Sequence, residues 1–253
     1  MSDSSVQPVA EGTPGLSQIQ RVTNAFTAPS TTFTDIKNGH KSWWFPFIIY
    51  IVLGYAFYGA VNGKIGMRQV SDNQIKISPK AEERMSQLTP EQREGQMKIS
   101  TAITQGVFLA SPVFLLGIGA LVSLVMWGTI NFGFGGKATF GGVFVVWMYG
   151  MLPSVVKTIL GIIVIFAGSA PESFNIKNYA PTNLGAFLNP VETNAALYSL
   201  ATSLDVVTIW CLVLVGIGTA TVAGVKRSGG YIAAFGWWAI VVLFGVGAAA
   251  LMG

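Results

Sequence analysis

Apolar residues along this chain come in five long blocks separated by polar or glycine-rich stretches, and each block is about twenty residues or more, the length that crosses a bilayer's hydrocarbon core. The pattern predicts spans over about 43–61, 103–130, 140–167, 196–225 and 231–251. Before the first block, Leu16, Ile19, Val22 and Phe26 recur at helical spacing, and Phe33 and Ile36 follow the interruption at Pro29. Residues 16–42 therefore read as one or two short amphipathic helices, fit either to lie in the headgroup plane or to dock on the bundle. Met1–Gly15 is rich in Ser, Gly, Pro and Gln without periodicity, and reads as a mobile tail and not as a signal peptide.

Punctuation sharpens the picture. Lys41, Trp43 and Trp44 introduce the first span as interface anchors, because an indole can keep its ring apolar and its N–H wet. Pro46 falls in that span's first turn, where its missing donor costs little. The polar excursion 62–100 holds two helix starts, Ser78-Pro79 and Thr89-Pro90-Glu91-Gln92, the second with the spacing of a capping box. From Thr89 nothing but Gly95 interrupts helix, so this segment can run on into the second span, where Pro112 predicts a kink. Gly117, Gly119, Ala120 and Ser123 allow close helix approach. Asn131-Phe-Gly-Phe-Gly-Gly-Lys137 lacks the spacing of a phosphate loop and reads as a turn. Residues 168–195, with Pro171, Pro181 and Pro190, read as an ordered loop over one end of the bundle.

Composition agrees with an all-α, polytopic transmembrane bundle: 51% of the 253 residues are hydrophobic and 10% charged, against roughly a quarter charged in soluble domains. One cysteine, Cys211, forbids an internal disulfide, and one histidine, His40, leaves a His/Cys metal or haem centre without ligands. No cofactor is expected. A net charge of +4 is scattered through the loops without an aromatic-interleaved basic face, which argues against nucleic acid. No serine, histidine and carboxylate arrangement, and no Gly-x-Ser-x-Gly motif, offers a catalytic site.

Two ionisable residues lie deep in apolar segments. Lys157 is seventeen residues into the third expected span and Asp205 nine into the antiparallel fourth, which puts them roughly 25 Å and 30 Å from the same side. Three readings stand: headgroup-level groups with Lys157 snorkelling, an ion pair that fixes helix register, or a transport or proton relay. Tyr149 and Pro153 mark a break in the third span, either hinge or static kink. Cys211 reads as a buried apolar side chain beside Trp210. Counted over every loop, the six basic residues on the N-terminal side, Arg21, Lys37, Lys41, Lys137, Lys226 and Arg227, face eight on the other, Lys177 and the seven of 62–100, which opposes a cytoplasmic N-terminus; the short segments alone, which count for more, favour it six to one.

These residues carry a resemblance. Phe26-Thr-Ala-Pro29-Ser-Thr-Thr-Phe33-Thr-Asp-Ile36 followed by Trp44-Phe-Pro46, then Tyr149-Gly-Met-Leu-Pro153, then Leu204-Asp205-Val-Val-Thr-Ile-Trp210 running into Gly216-Ile-Gly218, are similar in order and spacing to the Yip-domain membrane proteins. That family is named for eukaryotic members that interact with Ypt/Rab GTPases, and the chain resembles its bacterial members more closely. The resemblance implies a five-span fold, a cytosolic N-terminus, and a non-enzymatic role in membrane organisation or trafficking, with the lipid bilayer, other membrane proteins or further copies of itself as partners. It also implies residence in a bacterial cytoplasmic membrane. The acidic segment associated with GTPase partners is missing, and Ser42-Trp43-Trp44-Phe45 stands in its place, which speaks against GTPase binding. The competing expectations are a small transporter or channel built on Lys157 and Asp205, and an accessory subunit of a larger membrane complex.

Overall fold

The structure is a computed structural model, and it describes residues 15–252. The tail expected over Met1–Gly15 lies, but for Gly15, outside the described residues. Two short helices open the fold, α1 (Gln18–Thr27) and α2 (Pro29–Lys37). Ser17 starts α1 with a capping box closed by Gln20, and Pro29 at the first turn of α2 costs no helical hydrogen bond. Helix α3 (Trp44–Lys64) is the first of five helices long and apolar enough to cross a membrane. Gly66, at φ +88°, then turns the chain back into α4 (Met67–Lys76). Helices α5 (Pro79–Ser86) and α6 (Pro90–Leu109) complete a polar lobe. Thr89 and Gln92 form the expected capping box, whereas the Ser78 hydroxyl makes no cap bond and Pro79 alone marks the start of α5.

Where the sequence suggests one kinked second span from residue 103, the helix ends at Leu109 and a new one, α7 (Ser111–Gly128), begins. Pro112 occupies the opening turn of α7, the position it tolerates, so the chain resolves the conflict by restarting and not by bending. The membrane-length segment is Ser111–Gly133, its last turn widened into π-helix over Thr129–Gly133. The third span is likewise two helices, α8 (Phe140–Gly150) and α9 (Ser154–Phe166), joined by a turn at Met151–Pro153. The fourth block divides at Leu204 into α10 (Ala195–Ser203) and α11 (Val206–Ala223), so the span starts at 206 and not at 196. The reason is chemical: Asp205 is extended and caps α11 with its side chain, which a residue inside a helix cannot do. Gly224, left-handed at φ +71°, ends α11 and leads into α12 (Arg227–Met252).

Helix α11 sits at the centre: 56% of its span is buried, against 11% for the span in α12. Its small residues make this possible, since a side chain at Gly218 would strike Val146 and Phe33, and one at Gly216 would strike Tyr231. Helices α1 and α2 dock on the bundle. Ala25, Phe33 and Ile36 are fully buried in one core with Val145, Val146, Tyr149, Leu152, Leu214 and Ile217. A second core joins α3, α4 and α9 through Phe57, Val61, Val70, Ile165 and Phe174.

Five alternating spans give the molecule two faces. The N-terminal face gathers the residue 38–43, 134–139 and 224–226 connections: Lys41 Nζ donates to Thr139 Oγ1 at 3.1 Å, and the Lys137 amide to the Ala223 carbonyl at 3.0 Å. The opposite face carries the polar lobe and the 168–194 loop, stitched together where Asn73 Nδ2 donates to the carbonyls of Pro171 (2.7 Å) and Phe174 (2.9 Å).

Candidate functional site

The turn at Pro153 and the start of α11 bring Lys157 and Asp205 together, with Lys157 Nζ 2.8 Å from Asp205 Oδ2. Neither residue is enough to explain the geometry. Asp205 is held first by its own helix: Oδ1 accepts the Val207 and Thr208 amides at 2.9 and 3.0 Å, an N-cap that also sets the carboxylate at the positive end of α11. Oδ2 accepts a second bond, from the Thr182 hydroxyl at 2.7 Å, and the Thr182 carbonyl takes the Val206 amide at 3.0 Å. The Asp205 side chain is 2% exposed and that of Lys157 22%, and the Lys157 ammonium lies 5.8 Å from the centre of the Tyr179 ring. One carboxylate thus ties the third span, the fourth span and the loop over the bundle to a single point.

That loop is itself a hydrogen-bonded sheath. Asn183 Nδ2 donates to Asn178 Oδ1 at 2.7 Å, and the Asn175 and Asn178 amides both donate to the Tyr198 hydroxyl, at 3.2 and 3.3 Å. A cavity of about 260 Å³ beside it is lined by Asn175, Asn178, Tyr179 and Tyr198 among others, and Lys157 and Asp205 do not line it.

The break before the pair is filled as carefully. Pro153 has no N–H for the Tyr149 carbonyl, so the Leu152 amide bonds Tyr149 at 3.2 Å in tighter fashion. The Met148 carbonyl, one residue earlier, accepts the Tyr50 hydroxyl of α3 at 2.7 Å. Cys211 is buried and points its thiol at the Met151 carbonyl, 3.8 Å away. Trp210, half exposed, meets Phe26 of α1 edge-on at 5.7 Å. Pro112 is remote from this cluster on α7, and Trp43 and Trp44 stand at the start of α3, Trp43 edge-on to Phe47 and Phe144.

A second buried charge pair holds the N-terminal helices. Arg21 Nε meets Asp35 Oδ2 at 2.5 Å with both side chains under a tenth exposed, and the other Asp35 oxygen accepts the Leu16 amide at 3.1 Å and faces His40 Nδ1 at 3.2 Å. Tyr149, on the bundle side, donates its hydroxyl to Gln18 Oε1 at 2.9 Å. Sequence reasoning passed over this site because Arg21 and Asp35 sit in short amphipathic helices, where a charge ordinarily faces water; the i, i+3, i+4 apolar pattern around them was the available signal.

On the opposite face, Arg68 and Glu94 form a two-pronged pair at 2.8 and 2.6 Å across α4 and α6, and the hydrogen-bonded fork holds the Glu94 carboxyl below its usual range and raises Arg68. They line a groove of about 820 Å³ floored by Ile65, Leu88 and Met97. Among the described residues no three His, Cys, Asp or Glu side chains gather as metal ligands.

Comparison with known proteins gives a match to a family model. A search of the curated proteins and one of the solved structures each returned none. The model of the Yip1 domain, in contrast, matches residues 23–249, from the middle of α1 to the last turn of α12. Both buried charge pairs except Arg21 fall inside that stretch, along with four of the five membrane-length helices and all but the end of the fifth, and the chain belongs to the Yip1 domain family.

Proposed function

We propose that the protein is a non-enzymatic membrane scaffold that binds other membrane components or further copies of itself, in a bacterial cytoplasmic membrane with its N-terminus in the cytoplasm. The observation that carries this reading is the saturation of Asp205. Its two oxygens take four hydrogen bonds, from Lys157, Thr182, Val207 and Thr208. A carboxylate so engaged serves as a pin, since moving a proton or ion through it would require breaking the cap of α11 and the loop contact together. With its intramembrane charges committed to structure, the molecule's free chemistry lies on its two faces and its lipid-facing sides. The mixed-charge lobe with its groove between α4 and α6 offers a docking surface for a partner, and the substitution of Ser42-Trp43-Trp44-Phe45 for an acidic segment speaks against a GTPase as that partner.

The transport reading draws on the breaks at Met151–Pro153 and Leu204, which resemble the interrupted helices of transporters. One experiment separates the two. Tagged protein is extracted from its native membrane in polymer-bounded lipid particles, its stoichiometry is measured by mass, and purified protein is reconstituted for flux assays. The scaffold reading expects a fixed-ratio assembly, with itself or with a partner, and no flux. A lone protomer that carries solute or ion flux, lost in Asp205→Asn, would overturn it.

A further inference from the structure

The two faces differ in charge, and the difference is in pairing more than in number. On the N-terminal face Lys37, Lys41, Lys137, Lys226 and Arg227 are exposed, and among the described residues the sole carboxylate there is Asp35, buried against Arg21. None of those five cations is in an ion pair with a described residue. Cations on the opposite face are interleaved with acids, as in Arg68–Glu94 and Lys76–Asp72.

The five cations surround one rim. Lys41 reaches Thr139, the Lys137 backbone is fixed to Ala223 just before Lys226, and Arg227 Nη2 donates to Ser30 Oγ at 3.0 Å. Hydroxyl partners fix these side chains without neutralising them. At the ends of the spans that open on this face lie exposed aromatics: Trp43 just before α3 and Trp44 at its start, Phe132 and Phe134 after α7, and Phe140 at the start of α8. Phe132 is 82% exposed, a position that water would disfavour and the boundary between headgroups and acyl chains would not. A ring of cations without an ion-pair partner among the described residues, beside an aromatic girdle, matches a layer with negative phosphates above and hydrocarbon below. An acidic soluble protein could answer the cations but would leave Phe132 and the tryptophans unaccounted for.

We propose that the N-terminal face is a binding surface for anionic phospholipid headgroups, with Lys41, Lys137, Lys226 and Arg227 as its contacts. The surface goes beyond the scaffold reading and stands or falls separately from it. It is tested with protein in mixed vesicles of phosphatidylcholine and phosphatidylglycerol, one or the other lipid brominated, reading quenching of tryptophan fluorescence. Quenching by brominated phosphatidylglycerol should indicate an enrichment of roughly fivefold beside the protein, and the enrichment should collapse in about 0.5 M salt, where charges are screened within a few ångströms. The variant Lys41→Gln/Lys137→Gln/Lys226→Gln/Arg227→Gln should lose it, and Lys80→Gln/Arg84→Gln/Lys98→Gln/Lys177→Gln, which removes as many exposed charges from the other face, should keep it. If the first variant fails to insert, Lys137→Gln and Lys226→Gln should each lower the enrichment alone. Equal quenching by both lipids in the unaltered protein, enrichment that survives salt, or equal loss in both fourfold variants would overturn the proposal.

Discussion

Asp205 and Lys157 are unequal partners. Asp205 is enclosed, with its side chain 2% exposed, and that of Lys157 is 22% exposed, so removing one leaves a different problem from removing the other. Lys157→Met strands a buried carboxylate and should cost about 3 kcal/mol or more; Asp205→Asn keeps the cap acceptor and lets Lys157 extend outward, and should cost less. The double variant should be more stable than Lys157→Met alone, a sign of coupling that thermal unfolding in mild detergent would register. A melting temperature indifferent to Lys157→Met would contradict the pin. Tyr50→Phe removes the donor that fills the Met148 carbonyl and should cost about 1–2 kcal/mol by the same assay. At this scale the sequence was partly legible. Charges in apolar runs announce themselves, which is why Lys157 and Asp205 stood out; Thr182 did not, because it lies in an irregular loop with no period to place it. Tyr50 was hidden for the opposite reason, since a tyrosine in an apolar helix looks like packing.

Helices here meet through missing side chains. A methyl group at Gly230 would fall on the Gly216 carbonyl of α11, and a backbone atom cannot step aside as a side chain can. Gly230→Ala should therefore separate α12 from α11 and cost more than about 2 kcal/mol, visible as a lower melting temperature, whereas Gly236→Ala, in open space on the same helix, should be nearly silent. For the N-terminal helices, Asp35→Asn leaves the Arg21 guanidinium buried without its countercharge. Faster amide exchange over residues 16–42, with the spans still protected, is the expected result; unchanged protection there would mean the apolar core of α2 holds the pair of helices unaided. Element existence was readable from blocks and caps, as the Thr89–Gln92 box illustrates. Element ends were not. Pro112 restarts a helix and Asp205 caps one, and hydropathy averaged over a window passes across both because the residues on either side are equally apolar.

The assembled molecule is a five-span member of the Yip1 domain family with a centrally buried α11, N-terminal helices docked beside α8 and α11, and a polar lobe on the far face. That the short helices dock instead of floating in the headgroups depends on contacts between Phe33, Ile36 and the α8–α11 surface, which no local pattern encodes. The measurement that tests the arrangement most directly is side-specific cysteine labelling, in which the buried Cys211 is first replaced. In a Cys211→Ser background, Ser86→Cys in the lobe and Ser228→Cys at the start of α12 are both exposed. With the N-terminus cytoplasmic, an impermeant maleimide should label Ser86→Cys on intact cells stripped of any outer barrier, and Ser228→Cys only after lysis. Labelling of both from one side would contradict the five-span arrangement, and the reverse order would contradict its orientation.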